Sequence, residues 1–125
     1  MQDFRNLSVW QKAHKVTLEV FAISATFARP PYYSLQSQMI RAAMSVPANL
    51  AEGAGRAGDL EFRRFTRIAL GSASELEYHL LLARDLGLIP VATHDRLSKA
   101  VVELKRMLAG LIAKLSAKPE LMADS

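Results

Sequence analysis

Glycine and proline divide this chain into four stretches of helical length, and this division constrains the fold more than any other feature. The breaks fall at Pro30 and Pro31, at the glycines of positions 53–58 and from Gly87 to Pro90, while Pro119 marks the tail. Within each stretch, apolar residues recur every three or four positions, as on one face of a helix. We therefore predict helices at about residues 8–28, 34–53, 59–86 and 93–117.

The ends and seams of these stretches strengthen the prediction. Ser8 and Gln11 have the spacing of a capping box, Asp59 is placed to cap a helix N-terminus, and Gly87 is placed just after a helix C-terminus. The fourth stretch has the most regular apolar spacing, with alternating steps of four and three residues. Its members are Leu97, Val101, Leu104, Leu108, Leu111 and Leu115.

Pro47 lies inside the second stretch and predicts an irregularity there. A proline in a helix interior removes one backbone donor and leaves the carbonyl four residues earlier, that of Ala43, without its usual partner. The sequence leaves two alternatives open, namely a kink between Ala43 and Pro47 or two short helices.

Four helices joined by short turns pack most economically as an antiparallel up-down-up-down bundle. No strand pattern competes for any long segment. With 125 residues, half of them hydrophobic, the chain is long enough to bury one core. We predict an all-α fold with a single four-helix bundle domain over residues 1–125.

Several chemical functions are excluded or disfavoured by the residues present. The absence of cysteine excludes disulfides and cysteine zinc sites. Glu75 and His79 are four positions apart, not the three of a di-metal bundle motif, so we interpret His14, His79 and His94 as surface or rim residues. No serine lies in a nucleophile elbow. We predict no catalytic residue, no metal and no cofactor.

The N-terminus has no basic segment followed by an apolar one, and no apolar run approaches 18 residues. We therefore predict a cytoplasmic protein with no membrane partner.

A polar stripe at helical spacing follows the second stretch. It consists of Gln38, Arg41, Ser45, Asn49 and Glu52, continued by Arg56. One interpretation is a solvated back face. The other is a partly buried network that satisfies itself across a helix or subunit contact, near the carbonyl that Pro47 frees.

Four arginines surround the start of the third stretch: Arg56, Arg63, Arg64 and Arg67. Guanidinium groups suit phosphate and carboxylate oxygens, and the formal net charge is +4, so this cluster is a candidate nucleic-acid-binding site. The alternative is charge that only solubilises the rim of the bundle.

Three segments resemble the bacterial "four helix bundle protein" family, named for proteins encoded in intervening sequences of 23S rRNA genes. They are residues 4–13, 38–53 and 68–77, and the central one contains the run Ser-Val-Pro-Ala-Asn-Leu-Ala-Glu-Gly at positions 45–53. The resemblance spans about residues 3–115. It implies a left-handed bundle, a homopentamer and no established catalytic activity. Arg41, Ser45, Asn49 and Glu52 match the family motif, which favours the structural network over plain solvation.

A related branch, the accessory variability determinant of diversity-generating retroelements, binds reverse transcriptase and nucleic acid. The resemblance therefore implies a non-enzymatic homo-oligomeric scaffold or adaptor that engages RNA, DNA or a nucleic-acid enzyme. The alternative is a protein–protein adaptor without nucleic-acid binding. A third hypothesis, an enzyme with its site between subunits, has no motif to support it.

Overall fold

The computed structural model describes residues 2–124, with side chains described for residues 2–116. Four α-helices account for most of the chain: α1 (Ser8–Ser24), α2 (Tyr33–Ala54), α3 (Asp59–Asp85) and α4 (Val91–Asp124). Single turns of 3-10 helix lie on either side of α1, at Phe4–Asn6 and Ala25–Phe27. No β-strand occurs between residues 2 and 124. The all-α prediction is confirmed.

Hydrogen bonds and ion pairs between helices show which helices pack side by side. Thr17 of α1 bonds to Ala43 of α2, and Ser45 of α2 contacts Ser72 of α3. Lys105 of α4 bonds to Glu77 of α3, and Arg96 of α4 pairs with Glu19 of α1. Each helix therefore packs beside the next and α4 returns to α1, which is the arrangement of a four-helix bundle. The contact is most extensive between α2 and α3 and least extensive between α1 and α4.

The apolar stripes of the four helices meet in one core. In the regular seam of α4, Leu111 is partly buried and the other five members are buried. Opposite them lie buried side chains from the other three helices, among them Val20, Leu50 and Leu76. Burial of such side chains supplies the main favourable free energy of folding.

A glycine allows α2 and α3 to approach closely. A Cβ atom at Gly53 would lie 2.9 Å from Cδ1 of Phe62 and 2.9 Å from Cβ of Phe65. Since real Cβ contacts are longer than this, only glycine fits the present separation of the two helices.

Helix α2 is continuous through Pro47, which excludes two short helices, one of the two alternatives that the sequence left open. The Ala43 carbonyl that proline leaves free lies 3.0 Å from the Thr17 hydroxyl of α1. The same hydroxyl lies 2.8 Å from the Ala13 carbonyl, so its one proton is shared between the two acceptors. Pro47 itself is buried. A neighbouring helix thus supplies the donor that proline removes, and a break is unnecessary.

Several helices begin or end at residues other than the predicted ones. Helix α1 ends at Ser24 because the chain tightens into the 3-10 turn Ala25–Phe27 before the prolines. Gly58, with φ of +94°, takes the N-cap position of α3, so Asp59 is the first helical residue. At the start of α1, Gln11 donates its side chain to the Arg5 carbonyl at 2.9 Å instead of closing a capping box.

The end of α3 follows the prediction. Gly87 has φ of +74°, its amide donates to the Arg84 carbonyl, and the Leu88 amide donates to the Ala83 carbonyl. This pair of bonds is the Schellman motif that a glycine after a helix permits.

Helix α4 begins earlier and ends later than predicted. It starts at Val91 because the Pro90 carbonyl accepts the first helical bond, from the His94 amide at 3.0 Å. It continues to Asp124, so Pro119 does not end it. Most of the residues after position 116 are strong helix formers, namely alanine, lysine, glutamate, leucine and methionine.

Candidate functional site

Part of the polar stripe of α2 lies against α3 and forms a hydrogen-bonded cluster there. The hydroxyls of Ser45 and Ser72 lie 2.7 Å apart, and the Asn49 amide donates to the Ser45 hydroxyl at 2.9 Å and to the Ser45 carbonyl at 2.8 Å. All three residues are partly buried. We name this group the serine–asparagine cluster; it fixes the register of α2 against α3.

The other members of the stripe lie outside this cluster. Gln38 and Arg41 are exposed, and neither forms a hydrogen bond or an ion pair among the described residues. Glu52 pairs with Arg56 at 3.3 Å on the surface. Ser72 was missed by sequence reasoning, because only the packing of α3 on α2 brings it opposite Ser45.

The four arginines divide into two pairs. Arg56 and Arg64 lie over the ring of Phe65, with guanidinium carbons 5.3 Å and 4.5 Å from its centroid. Arg63 and Arg67, four positions apart, share a side of α3 that Arg64 does not, because a helix turns about 100° per residue. The structure thus places two of the predicted arginines together and turns the other two away from them.

The pair at Phe65 is already matched by carboxylates. Arg56 pairs with Glu52, and Arg64 pairs with Glu61 at 2.8 Å. The hydrogen bond from Arg64 holds the pKa of Glu61 below its ordinary value. A shallow groove of about 500 Å³ lies beside this pair, lined by Ala48, Asn49, Ala51, Glu52 and Phe65. Its charge is balanced, which makes it a weak attractor of phosphate.

One long face of the bundle is rich in large apolar side chains, and two cations, Lys15 and Arg41, lie at its borders, three positions before Leu18 and Met44. This α1–α2 face is defined by the exposed Leu18, Phe21, Tyr33 and Met44, together with the half-buried Trp10 and Ile40. Leu18 is 58% exposed, and Phe21 and Met44 are each 45% exposed. His14 stacks on Trp10 at the same face, with ring centroids 4.9 Å apart. Exposed apolar area of this kind is characteristic of an interaction surface.

The side of α1 that faces α4 carries positively charged side chains. Lys12 of α1 lies beside Arg96, Lys99 and Arg106 of α4, and the exposed Lys15 follows Lys12 three positions later on α1; we name these residues the α1–α4 face. A groove of about 710 Å³ is lined by four of these cations, with Asp95 and Glu103 as the acidic residues. The four cations of this groove outnumber its two carboxylates.

Two histidines predicted at the surface are buried instead. His79 of α3 is only 9% exposed, its Nδ1 has no hydrogen-bond partner, and its Nε2 lies 3.6 Å from the Glu75 carboxylate. Burial lowers the pKa of His79, more than the nearby Glu75 raises it. His94 of α4 is also buried, with Nδ1 3.0 Å from Asp95. Both lie on core-facing flanks, which the Glu75 to His79 spacing alone did not show.

Neither a metal-binding group nor a membrane-spanning helix occurs among the described residues. No group of three or more His, Asp or Glu side chains could hold a metal ion there. Within the same residues, every helix is too short or too polar to cross a membrane.

Comparisons with known proteins place the chain. A crystal structure of a protein of unknown function from the S23 ribosomal protein family of Bacteroides thetaiotaomicron matches it with a TM-score of 0.78 and 21% identity. The match covers 83% of this chain and 97% of that one, and it supports the fold. A search of curated proteins gave no match. The model of the family described as 23S rRNA-intervening sequence protein matches residues 5–110, and the chain therefore belongs to that family.

Proposed function

We propose that this protein is a non-enzymatic homo-oligomeric scaffold that presents repeated basic surfaces to nucleic acid or to a nucleic-acid enzyme. The observation that supports assembly is the α1–α2 face. A lone bundle needs only one apolar stripe per helix, whereas Leu18, Phe21 and Met44 extend the apolar surface outward on the side that no helix of the same chain covers.

A second copy of the chain is the partner that suits this face. Homo-oligomers form by burying self-complementary or head-to-tail surfaces, and a mainly apolar face with cations only at its borders limits the cost of desolvating ions. Large apolar side chains then become the anchors of the contact. The resemblance noted in the sequence points to five copies.

Measurement of the native mass tests this assembly. We expect the wild-type protein to have a mass of five times the 13.8 kDa chain mass. The double variant Leu18→Glu/Met44→Glu places two carboxylates on the α1–α2 face, and we expect it to be a folded monomer. The matched control is Leu60→Glu on α3, because Leu60 is 59% exposed and lies on another face. A monomeric wild type, or dissociation by the control variant alone, would contradict the proposal.

A second candidate is an adaptor for another protein, and a specific surface favours it. Tyr78, Leu81 and Leu86 are exposed near the end of α3. A groove of about 400 Å³ beside them is lined by Tyr32, Leu35, His79 and Leu82, among others. Co-purification of a protein partner that survives nuclease treatment, and that is lost in Tyr78→Glu/Leu86→Glu, would favour this second function.

A further inference from the structure

The cations of this protein are unevenly matched by acids from one face to another. On the side where α2 meets α3, Arg56 and Arg64 each pair with a glutamate. Between α3 and α4, Lys105 pairs with Glu77 at 2.8 Å. Arg41, Arg63 and Arg67 also form no ion pair among the described side chains, but none of them lines the α1–α4 groove. In that groove Lys12, Arg96, Lys99 and Arg106 outnumber Asp95 and Glu103.

Three lysines of the α1–α4 face carry positive charge that no acidic side chain described for the same chain neutralises. Arg96 pairs with Glu19, and Arg106 lies 3.8 Å from Glu103. Within the described side chains, Lys12, Lys15 and Lys99 form no ion pair. Ammonium groups on flexible stems that have no internal partner are free to neutralise an external anion.

We infer that the α1–α4 face binds the phosphate backbone of nucleic acid. This inference rests on the proposed function and gives it a surface, which differs from the arginine cluster that the sequence suggested.

The shape of the face favours a polymer with repeated charges over a small anion. Arg96, Lys99 and Arg106 form one stripe along α4, and ten residues of helix extend about 15 Å. Lys15 and Lys99 are exposed, and nothing around them resembles a buried pocket for a single phosphate. Several exposed cations in a row instead match successive phosphates along a strand.

The same face is unsuited to a lipid surface. Helices that lie on membranes combine cations with large apolar side chains that enter the bilayer. Among the described residues of α4, the one large apolar side chain that is exposed is Val91, at the start of the helix and away from the stripe. On α1 the exposed Leu18 lies three positions after Lys15, but the proposed subunit contact covers it. Contacts to a phosphate backbone need no such apolar side chain.

Fluorescence anisotropy with a labelled RNA duplex, over a series of salt concentrations, tests the inference. The test variant is Lys12→Gln/Lys15→Gln/Lys99→Gln. The control is Arg41→Gln/Arg63→Gln/Arg67→Gln, which removes the same charge from other faces. We expect the test variant to bind at least about tenfold more weakly at low salt, with a salt slope reduced by about 0.9 for each lost duplex contact. We expect the control to change affinity by less than about twofold.

Each of the other possible outcomes would overturn one specific part of the proposal. Equal losses in both triple variants would show that only net charge matters and would overturn the α1–α4 surface while leaving nucleic-acid binding intact. Absence of wild-type binding at low salt would overturn nucleic-acid binding itself, while the native mass would still decide assembly. Equal affinity of the wild type for vesicles containing an anionic phospholipid would overturn the choice of partner.

Two further variants separate charge from folding. Lys12→Arg/Lys15→Arg/Lys99→Arg keeps all three charges, and we expect near wild-type affinity from it. If the glutamine triple variant unfolds, the double variant Lys15→Gln/Lys99→Gln replaces it, because both side chains are exposed. Wild-type affinity in that folded double variant would overturn the inference.

Discussion

At the scale of single residues, the polar groups of the core matter most, because each one buried without a partner costs free energy. The Ala43 carbonyl, freed by Pro47, depends on the Thr17 hydroxyl. The sequence predicts the need for a donor at this point. It does not identify Thr17, which lies 26 positions away and becomes a neighbour only through the register of α1 on α2.

We predict that Thr17→Val lowers the free energy of unfolding by about 1–3 kcal/mol, since the Ala43 carbonyl is then buried without a donor. Thr66→Val is the matched control. Its hydroxyl bonds to the Phe62 carbonyl of the same helix, which keeps its regular helical partner. Chemical denaturation of both variants checks this difference, and equal losses would show that the Ala43 carbonyl needs no outside donor.

Gly53 gives a second prediction at this scale. Gly53→Ala places Cβ within 2.9 Å of Phe62 and Phe65, so α2 and α3 must separate, at a cost of about 1–3 kcal/mol. Gly55→Ala is the control, because its Cβ would meet only backbone oxygens, the nearer at 3.5 Å. Thermal unfolding of the two variants measures the contrast. A Gly53→Ala protein as stable as Gly55→Ala would mean that the helices adjust freely.

At the scale of helices, the apolar periodicity predicts which segments are helical, because one face of each must leave water. It predicts their ends less well. Gly58 displaced Asp59 from the N-cap position, and Pro119 did not stop α4. Helical spacing does separate the four arginines: Arg63 and Arg67 share a side of α3 that Arg64 does not, because adjacent residues are rotated by about 100° around the helix axis.

Helix α3 carries a pH-dependent contribution to stability through His79. Since burial lowers its pKa in the folded protein, the unfolded chain binds the proton more readily than the folded one. The contribution of His79 is therefore fully present above the unfolded pKa of about 6.5 and is lost as the pH falls through that value toward the lower folded pKa.

The variant His79→Gln tests this dependence. We expect the difference in unfolding free energy between wild type and variant to shift in favour of the variant as the pH falls from about 7.5 to about 5. Denaturation at several pH values gives this difference and cancels the other titrating groups. A difference that stays constant over this range would show that His79 binds its proton equally in both states.

At the scale of the whole molecule, the bundle separates its surfaces by chemistry. The α1–α2 face is mainly apolar, with Lys15 and Arg41 at its borders, while the α1–α4 groove brings Lys12, Arg96, Lys99 and Arg106 together. Net charge and composition do not reveal this separation. It follows from two things: the direction in which each residue points from its helix, and which helices pack side by side. Contacts such as that of Thr17 with Ala43 fix the second.

Opposite responses to salt follow from this separation. Burial of apolar area is strengthened or left unchanged by added salt, whereas phosphate contacts release counterions and weaken steeply. We therefore predict that raising NaCl from about 50 to about 500 mM leaves the native mass of the protein unchanged but releases a bound RNA duplex. Analytical ultracentrifugation with separate detection of protein and labelled RNA follows both in one sample. If the assembly instead dissociated together with the RNA, ionic contacts would be holding the subunits and the α1–α2 face would not be the subunit contact.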